Sequence, residues 1–391
     1  MKKLILINVL FSTSLSIFAA DLDFLSNSFC YEFPKVQTRK DTYYLPNQQT
    51  PYTGENLCVY RISGQYHSKG RIKDGKKDGK WTWWHENGEI KAEWNYKDGK
   101  EHGNHSSWNE SGQLTKVENY IDGKKHGKQA YWNNFGQLYL EQNFKDSKKH
   151  GKTTLWYKNG QIEKVVHFKD DKFDGDTIEF YENGQKHRYA KYKEGKLDGN
   201  TGDWFENGQT REIAVYIDGK RQGLYGSHYK NGKPYVVANY KDDKLHGEYS
   251  SYYDNGYQQE LANYRNDKLH GTYTSWYENR QMEENSNHRD GKRNGKTTLY
   301  YDNGQIKKEF YLKDDKFHGI ATSWKLSYEK SWKYIEVNFK DGRVHGTSTV
   351  FFETGEIGWI NKYSNGDCTF CRTDPDGAWR EFSQYKPMGR K

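Results

Sequence analysis

The sequence is short of the residues that fill an ordinary globular core. Only 33% of its 391 residues are hydrophobic, and the mean hydropathy is −1.20. A globular chain is usually close to half apolar, so this composition is not that of ordinary domains. Prolines number only six, which leaves long strands uninterrupted. Beyond the N-terminal segment, no run is apolar enough to cross a membrane.

Aromatic residues and glycines are abundant instead. The chain has 33 Tyr, 18 Phe, 13 Trp and 38 Gly. Polarity of this degree would suggest disorder, but so many aromatic residues argue against it. Such a chain can fold if the aromatic residues lie on strands and the glycines turn the chain between them.

The first twenty residues have the pattern of a secretory signal peptide. Lys2 and Lys3 precede a mostly apolar run that ends at Phe18, and Ala19-Ala20 follow. The alternative is a single anchoring helix, although the run is shorter than a full membrane span. Removal of this segment lowers the formal net charge from +8 to +6, which is too mild to imply nucleic acid. We therefore expect an exported protein that is periplasmic, displayed at the outer surface or secreted.

Glycines recur every 24 residues over most of the chain. One series runs without slippage from Gly79 to Gly319, and we call its members the framing glycines. A second series, usually preceded by Asn, runs from Gly88 to Gly304. Asn-Gly between two strand-like runs predicts a hairpin whose two turn residues both have positive φ. No segment has the 3.6-residue period of a helix. The sequence therefore predicts an all-β fold, an elongated ribbon or solenoid of about 12–13 antiparallel hairpin units.

Two aromatic columns repeat with the hairpins. Seventeen residues after the framing glycine stands one column, from Tyr96 to Tyr363. We expect it to pair across the hairpin with the framing glycine and to cover its bare backbone. The other column stands five residues after the framing glycine, with a small residue two positions earlier, and should lie on the opposite face. The sequence does not tell which face is concave. This second column, the aromatic row, would serve packing or ligand stacking and comprises Trp84, Trp108, Trp132, Trp156, Phe180, Trp204, Tyr252, Trp276, Tyr300 and Trp324.

These motifs carry a resemblance to a known family. The unit G-x-x-x-x-[WY]-[YF]-x-N-G-Q, followed by Y-x-D-G-K-x-x-G, resembles the MORN repeat in its bacterial variant form. The resemblance covers about residues 51 to 383 and recurs about a dozen times. It implies a ribbon of hairpins with no enzymatic chemistry and no cofactor. Families of this kind are linked to membrane or phospholipid association, to scaffolding and, in the bacterial variant, to YwqK family antitoxins.

The chain divides into four segments by sequence. Residues 1–20 are the signal peptide and 21–50 a lead-in or cap, before the repeat array of 51–366. Residues 367–391 hold a Cys-containing connection, a final strand at 376–385 and the C-terminal tail. Two cysteines flank each end of the array, and an exported chain predicts the disulfides Cys30–Cys58 and Cys368–Cys371. The C-x-x-C pair alone lacks the four ligands of a zinc site.

Two motifs that could suggest an enzyme or a metal site lack the residues or the arrangement that such a site needs. Gly295-Lys296-Thr297 ends like a phosphate-binding loop, but Asp290 replaces its first glycine and a strand follows instead of a helix. Nucleotide binding is therefore not predicted. Seven histidines precede framing glycines, one per unit, so they do not converge on a metal and are interpreted as polar turn residues. They are His102, His126, His150, His246, His270, His318 and His345.

A basic residue stands three positions before each framing glycine. Acids occupy most of the opposite turns, so the meander should have one mildly basic and one mildly acidic edge. The simpler interpretation is that charged turns keep the strands soluble and prevent edge pairing. The functional interpretation is contact with anionic lipid headgroups or an anionic polymer. These residues, the basic row, are Lys76, Lys100, Lys124, Lys148, Lys172, Lys196, Lys220, Lys244, Lys268, Lys292, Lys316 and Arg343.

The leading hypothesis is an exported, non-enzymatic binding or scaffolding surface whose weak contacts add up over the repeats. Its partner would be a protein or an anionic envelope or membrane surface, with self-association as a further option, and neither nucleic acid nor a nucleotide. One alternative is an antitoxin- or immunity-type protein that neutralises a partner toxin. Another is an envelope protein that binds glycans by aromatic stacking. Every unit looks alike, so no residue stands out as catalytic.

Overall fold

The computed structural model describes residues 30–328, 330–371 and 382. The predicted signal peptide and the start of the lead-in lie outside these residues. The chain divides into two compact units, Met1–Gly160 (unit 1) and Gln161–Lys391 (unit 2). Over the described residues the elements are 34 β-strands. No helix within the described part of the chain is long and apolar enough to span a membrane.

The strands of unit 1 alternate with short turns. They are β1 (Cys30–Phe33), β2 (Gln37–Arg39), β3 (Thr42–Tyr44), β4 (Gly54–Tyr60), β5 (Tyr66–Lys73), β6 (Lys76–Trp84), β7 (Ile90–Lys97), β8 (Lys100–Glu101), β9 (Gly103–Trp108), β10 (Leu114–Ile121), β11 (Lys124–Lys125), β12 (Gly127–Trp132), β13 (Leu138–Lys145) and β14 (Lys148–Trp156).

The strands of unit 2 continue the same alternation. They are β15 (Ile162–Lys169), β16 (Lys172–Phe173), β17 (Gly175–Phe180), β18 (Lys186–Lys193), β19 (Lys196–Trp204), β20 (Thr210–Ile217), β21 (Lys220–His228), β22 (Pro234–Lys241), β23 (Lys244–Tyr252), β24 (Gln258–Arg265), β25 (Lys268–Trp276), β26 (Met282–Arg289), β27 (Lys292–Tyr300), β28 (Ile306–Lys313), β29 (Lys316–Phe317), β30 (Gly319–Ser327), β31 (Lys330–Lys340), β32 (Arg343–Phe351), β33 (Ile357–Ser364) and β34 (Asp367–Phe370).

Each unit is an antiparallel meander in which every hairpin pairs with the next. In unit 1, β1 pairs with β4, and β4 to β14 follow in chain order, while β2 and β3 form a separate two-stranded sheet. In unit 2, β15 to β34 pair in chain order. The predicted all-β class of antiparallel hairpin repeats is therefore confirmed in each unit.

The hairpin register agrees with the sequence prediction. Gly79 pairs with Tyr96, and Gly247 pairs with Tyr264, seventeen residues further on in both hairpins. The hairpin that begins at Gly319 departs from this spacing. Its longer turn brings Phe339 opposite Gly319 instead. Cross-strand register therefore follows the 24-residue period wherever the turn keeps its usual length.

The predicted type of the Asn-Gly turn is wrong. Gly88 has a φ of 89°, but Asn87 does not have positive φ. The amide of Gly88 donates to the His85 carbonyl at 3.0 Å, and the amide of His85 donates to the Glu89 carbonyl at 2.8 Å. The register shifts beside this turn, so the chain reverses through a longer turn that ends in a left-handed glycine and a bulge.

Two-residue turns with positive φ at both positions lie at the opposite edge. Asp98 and Gly99 have φ of 52° and 82°, and Asp170 and Asp171 have φ of 50° and 68°. Asp and Gly tolerate this left-handed region better than other residues, which explains why these two types fill most of the turns. The tight hairpin turns are therefore the Asp-Gly turns rather than the Asn-Gly turns.

The framing glycines are required by backbone conformation and not by the aromatic residue across the strand. Gly79 has a φ of +76°, and a Cβ placed on it would meet nothing within 4 Å. At Gly247, with φ of +97°, the nearest atom to such a Cβ would be Asn239 Cβ at 3.5 Å, not Tyr264. The expectation that the aromatic ring covers bare backbone at this position is thus incorrect. Positive φ alone accounts for the glycine.

The face that carries the Tyr96–Tyr363 column is the buried face of both units. On β24, Ala262 and Tyr264 are buried while their neighbours Asn263 and Arg265 are exposed. In unit 1 this face holds a run of contacting rings, with Trp94 stacked on His105 at a centroid distance of 5.4 Å. We call it the buried face, and we call the opposite one, which carries the aromatic row, the outer face.

The buried face of unit 2 contains its main apolar clusters. One cluster centres on Phe310, Val337 and Phe339, all at most 2% exposed. Phe382 is also buried there, with its ring 5.9 Å from those of Phe317 and Phe339. The predicted final strand at 376–385 otherwise lies outside the described residues, and the backbone at Phe382 itself is helical rather than extended.

Consecutive hairpins are tied together at both edges. At the Asn-Gly edge, the Tyr181 hydroxyl donates to the Trp204 carbonyl at 2.8 Å, and Asn207 Nδ2 donates to the Lys230 carbonyl at 2.9 Å. At the Asp-Gly edge, the amide of Gly291 donates to the Leu269 carbonyl at 2.8 Å. The tyrosine that follows five of the ten aromatic-row residues, Tyr181 among them, was not singled out from the sequence. Its partner is twenty-three residues away, so sequence pattern alone does not show the contact.

Candidate binding surface

The basic row lies at the Asp-Gly edge of both units. Its twelve residues all begin strands and are all exposed. Each follows a tight turn directly and pairs with the last residue of the strand before that turn. Lys97, for example, pairs with Lys100 across Asp98-Gly99. The row therefore consists of residue pairs that flank a hairpin tip.

Most of these pairs oppose two positive charges. Ten of the twelve join Lys or Arg to Lys or Arg, and Ile121 and Ile217 occupy the partner position in the other two. Like charges directly opposite each other on a sheet reduce stability. A fold selected for stability alone would place a neutral or acidic residue at one of the two positions. The pairing thus favours a role for the cations beyond folding.

The stems of the basic row also pack against the turns. A Cβ placed on Gly99 would lie 3.4 Å from Lys76 Cβ and 3.6 Å from its Cδ. Gly342 has the same relation to Lys316, at 3.6 Å. The aliphatic stem therefore covers the glycine of the next tip, while the ammonium group stays in solvent. This contact explains a long side chain at the position but not its positive charge.

The cations meet acids only in part. Lys196 Nζ lies 2.7 Å from Asp218 Oδ1 in the next turn, and this hydrogen bond raises the pKa of Lys196 and lowers the pKa of Asp218. Each tip supplies one or two acids between two cations, so the edge keeps a mild positive excess. Such exposed ion pairs contribute little stability. They leave the ammonium groups accessible to an anionic partner.

The aromatic row lies at the Asn-Gly edge of the outer face. Its ten residues are all half-buried. In unit 2, a Cβ placed on Gly202 would lie 2.7 Å from Trp204 Cη2, so the indole lies over the small residue two positions before it. Ala130 and Thr274 are only 5% and 6% exposed although they stand on the outer face. The Trp204 ring therefore rests on the small residue beside it.

Both rows share the outer face within a unit. Glu309 pairs with Thr298, the small residue two positions before Tyr300. Lys313 stands four residues beyond Glu309 on the same strand and pairs with Lys316. Because strand side chains alternate in direction, Lys313 and Lys316 share the face of Tyr300. The outer face thus offers aromatic rings at one edge and paired cations at the other.

The histidines before the framing glycines contact the next turn. His102 Nδ1 lies 3.3 Å from Asp122 Oδ1, and His270 Nδ1 lies 3.5 Å from Asp290 Oδ1. In one of the repeats without histidine at this position, Gln222 Nε2 donates to Asp242 Oδ1 at 2.8 Å. The polar residue therefore links two successive tips, in agreement with its interpretation as a turn residue.

One buried acid of unit 1 is fully engaged in structural contacts. Glu118 is 4% exposed and accepts bonds from Lys116 Nζ at 2.7 Å, Lys125 Nζ at 2.8 Å and the Tyr131 hydroxyl at 2.8 Å. Burial by itself raises the pKa of this carboxyl, but the two ammonium groups and Tyr131 outweigh burial and lower the pKa to about 2. Glu118 is therefore ionised at neutral pH and holds neighbouring strands together.

A polar cluster of unit 2 looks like a nucleophile and base but is closed to solvent. Ser286 Oγ donates to Glu284 Oε1 at 2.7 Å and lies 3.0 Å from His288 Nε2. Arg293 Nη2 lies 2.8 Å from the same carboxylate oxygen. Ser286 is 0% exposed, so no substrate reaches its hydroxyl. Burial, followed by the charge of Arg293, lowers the pKa of His288 and keeps it neutral.

The remaining predicted features have simple positions. Cys30 is bonded to Cys58 with a Cα–Cα distance of 5.8 Å, and Cys368 is bonded to Cys371 with a Cα–Cα distance of 6.2 Å. The segment Gly295-Lys296-Thr297 lies inside strand β27 and starts no helix. It therefore lacks the helix N-terminus on which a phosphate loop depends.

Comparison with known proteins identifies the repeats. The family model described as MORN repeat variant matches residues 77–98, 149–170, 245–266 and 293–314. The match at 77–98 covers strand β7 and nearly all of β6, which together form one hairpin. No curated protein matches the chain.

Solved structures show only distant likeness. A crystal structure of TcdB2-TccC3-Cdc42 is 10% identical over 81% of this chain and 18% of its own, with a TM-score of 0.16. A porin-like protein from Bacteroides uniformis is 8% identical over 74% of this chain and 91% of its own, with a TM-score of 0.14. The chain spans under a fifth of the TcdB2-TccC3-Cdc42 chain, and TM-scores this low carry no argument. The repeat matches, together with the hairpin register, show that the chain contains repeats of the MORN variant type.

Proposed function

We propose that the outer face is a non-enzymatic docking surface for an anionic partner, with the basic row as its main contact. MORN repeats in general supply binding surfaces for proteins or membranes. The observation that carries the proposal is the set of ten directly opposed cation pairs at the Asp-Gly tips. Their mutual repulsion costs stability in the free protein, and an anion between the two ammonium groups would relieve it.

Repetition would make weak contacts sufficient. Each unit presents its cation pairs at successive tips, so a surface that meets one pair also meets the next. About 1 kcal/mol per lysine is typical for basic residues near an anionic membrane surface. We propose an anionic lipid surface as the partner and export of the chain as the route to it. The N-terminal sequence of residues 1–20 supports export.

The test is binding to vesicles of phosphatidylglycerol and phosphatidylcholine, compared with vesicles of phosphatidylcholine alone, at low and high salt. We expect binding only to the anionic vesicles and a loss of binding as salt rises. The variant K241E/K244E reverses one opposed pair. Loss of about 1 kcal/mol per lysine predicts affinity weaker by roughly thirtyfold or more.

The matched control reverses two lysines at the other edge. Lys158 and Lys230 are tip residues of the Asn-Gly turns, so K158E/K230E changes net charge equally but leaves the basic row intact. If both variants weakened vesicle binding equally, net charge alone would explain the effect, and the proposal would be contradicted. A single stoichiometric protein complex that survives high salt, without vesicle binding, would instead support the antitoxin- or immunity-type alternative.

A second candidate function rests on the aromatic row. Because the Trp204 ring lies over Gly202 on the sheet, its other side faces away from the sheet, as glycan stacking requires. Glycan binding of this kind would be insensitive to salt and would be weakened by Trp132→Ala but not by K241E/K244E. Binding to cell-wall glycan at high salt separates it from the anionic docking surface.

A further inference from the structure

Three side chains with metal-ligating atoms meet at the N-terminal end of unit 1. Cys30 lies on β1, Cys58 on β4 and His67 on β5. The two sulfurs and a ring nitrogen of His67 all lie within 4.8 Å of one another. The chain places them at widely separated positions, and only the pairing of the three strands brings them together.

The position of His67 depends on a bulge. Cys58 pairs with Ser68 and Val59 pairs with Tyr66, so His67 is the extra residue between them. A bulge redirects the side chain of its unpaired residue. Here it brings the imidazole to the disulfide, beside the Tyr60 ring, with a centroid distance of 5.0 Å and an angle of 85°.

One ring nitrogen of His67 has a polar neighbour. Ser68 Oγ lies 3.3 Å from Nδ1 and offers that nitrogen a polar partner, which leaves Nε2 for a ligand. The positive charge of Lys91 acts on His67 and opposes a bound cation. Two thiolates would neutralise a divalent cation and outweigh it.

We propose that the reduced form of the Cys30–Cys58 pair, together with His67, is a binding site for a borderline divalent cation such as Zn²⁺. Two thiolates and one imidazole are a common ligand set for this ion, with a fourth position left to water. The backbone pairing of β1 with β4 over Cys30–Phe33 would keep the two thiols close after reduction. The bound metal and the disulfide would thus be alternative cross-links between β1 and β4.

The exchange between the two states balances. Binding of the cation to the dithiol releases two protons, one from each sulfur. An oxidising disulfide in solution then takes two electrons from the bound thiolates, so the Cys30–Cys58 bond forms and the cation leaves. The oxidant departs as two thiols after taking up two protons. The strand β1 would stay attached to β4 in either state.

The experiment uses Co²⁺ alone as the probe, because its thiolate complexes absorb in the near ultraviolet. The full chain carries C368S/C371S, which removes the other dithiol, and is reduced and freed of reductant without oxygen. We expect one Co²⁺ per chain, with thiolate-to-cobalt absorption that Zn²⁺ displaces. The oxidised chain should show no such absorption.

His67→Ala and His67→Gln test the third ligand. Loss of outer-shell partners already costs 10–100-fold in affinity, so loss of a direct ligand should weaken Co²⁺ binding by roughly tenfold or more. His102→Ala removes a histidine of the same unit outside the cluster and should change nothing. Both His67 variants should melt like the parent when oxidised, which separates loss of a ligand from loss of the fold.

Hydrogen exchange at the amides of β1 supplies an independent measurement. In the reduced chain, Zn²⁺ should slow hydrogen exchange at the amides of β1 in the parent but not in His67→Gln. Absence of cobalt absorption in the reduced chain would overturn the proposal. So would binding of equal affinity in the parent and in both His67 variants.

Discussion

The hydroxyl of Tyr253 donates a 2.8 Å hydrogen bond to the carbonyl of Trp276, one repeat further along the chain. Tyr277 makes the same bond to Tyr300 at 2.9 Å. The donor directly follows its own aromatic-row residue, and the acceptor is the backbone of the next one. Neighbour contacts of this kind are the terms from which a repeat array derives its stability.

Removal of one such bond should cost stability without changing the fold. We expect Tyr253→Phe to lower the free energy of unfolding of unit 2 by about 1 kcal/mol, the usual contribution of one hydrogen bond. Urea denaturation followed by tryptophan fluorescence measures the change. Tyr311, which is 45% exposed, provides the control, and Tyr311→Phe should stay within about 0.5 kcal/mol of the parent. Equal effects of both substitutions would argue against the inter-repeat bond.

The framing glycine should resist substitution because of its φ. At Gly79, alanine would meet no atom within 4 Å but would be forced to a φ of +76°. We expect Gly79→Ala to destabilise unit 1 by about 1–2 kcal/mol, and Gly79→Asn to cost less because Asn tolerates this region. Thermal melting of the purified variants gives the comparison.

A second substitution separates backbone strain from collision. If Tyr96 required the glycine, Tyr96→Leu would relieve Gly79→Ala, and we expect no relief. Gly202→Ala is the converse case, since its Cβ would lie 2.7 Å from Trp204 Cη2. There we expect Trp204→Leu to recover part of the lost stability.

Opposed lysines should make the free protein less stable than it could be. We expect Lys97→Thr to raise the free energy of unfolding by about 0.2–1 kcal/mol at low salt, because it removes a like charge opposite Lys100. The gain should shrink as salt screens the repulsion. Lys80 Nζ lies 2.6 Å from Glu93 Oε1 in an ion pair, so Lys80→Thr should not raise the free energy of unfolding. A loss of stability in Lys97→Thr at low salt would remove the main support for a functional basic row.

Glu118 should make the stability of unit 1 depend on pH. Its folded pKa of about 2 lies below the value of 4.5 for an unperturbed glutamate. A carboxyl with a lowered folded pKa stabilises the protein above its unfolded pKa, and this contribution is lost as pH falls from about 4.5 towards 2. We expect Glu118→Gln to cost on the order of 3 kcal/mol at pH 7 and almost nothing near pH 2.

The pH profile needs a less deeply buried acid for comparison. Glu141 Oε2 lies 2.5 Å from Lys128 Nζ, and the Glu141 side chain is 26% exposed. Surface pairs contribute at most about 1 kcal/mol, so Glu141→Gln should give a small loss. Stability measured by urea denaturation between pH 2 and 7 distinguishes the two. A constant difference between parent and Glu118→Gln across that range would show that the carboxylate charge is not what matters.

Much of the fold followed from local pattern. The pairing of Gly79 with Tyr96 could be predicted because strand alternation and turn length set it. The turn types could not be predicted correctly, since Asn87 avoids positive φ once a bulge takes up the extra residue. The role of Tyr253 was also missed, because its acceptor is a backbone atom that carries no sequence signal.

The candidate site divides in the same way. The charge of the basic row and the spacing of the aromatic row are visible in the sequence, but the direct opposition of Lys97 and Lys100 emerges only with the strand pairing. The proximity of Cys58 and His67 depends on a one-residue bulge in β5, which no sequence motif predicts.

The sequence by itself determined the repeat period, the hairpin register and the identity of the charged tips, because these depend on residues within one 24-residue unit. Only the tertiary structure decided which face is buried. Both faces carry aromatic columns, and burial depends on how neighbouring hairpins pack rather than on the composition of either column. For the same reason, only the packed structure shows that the paired cations and the aromatic rings share the outer face.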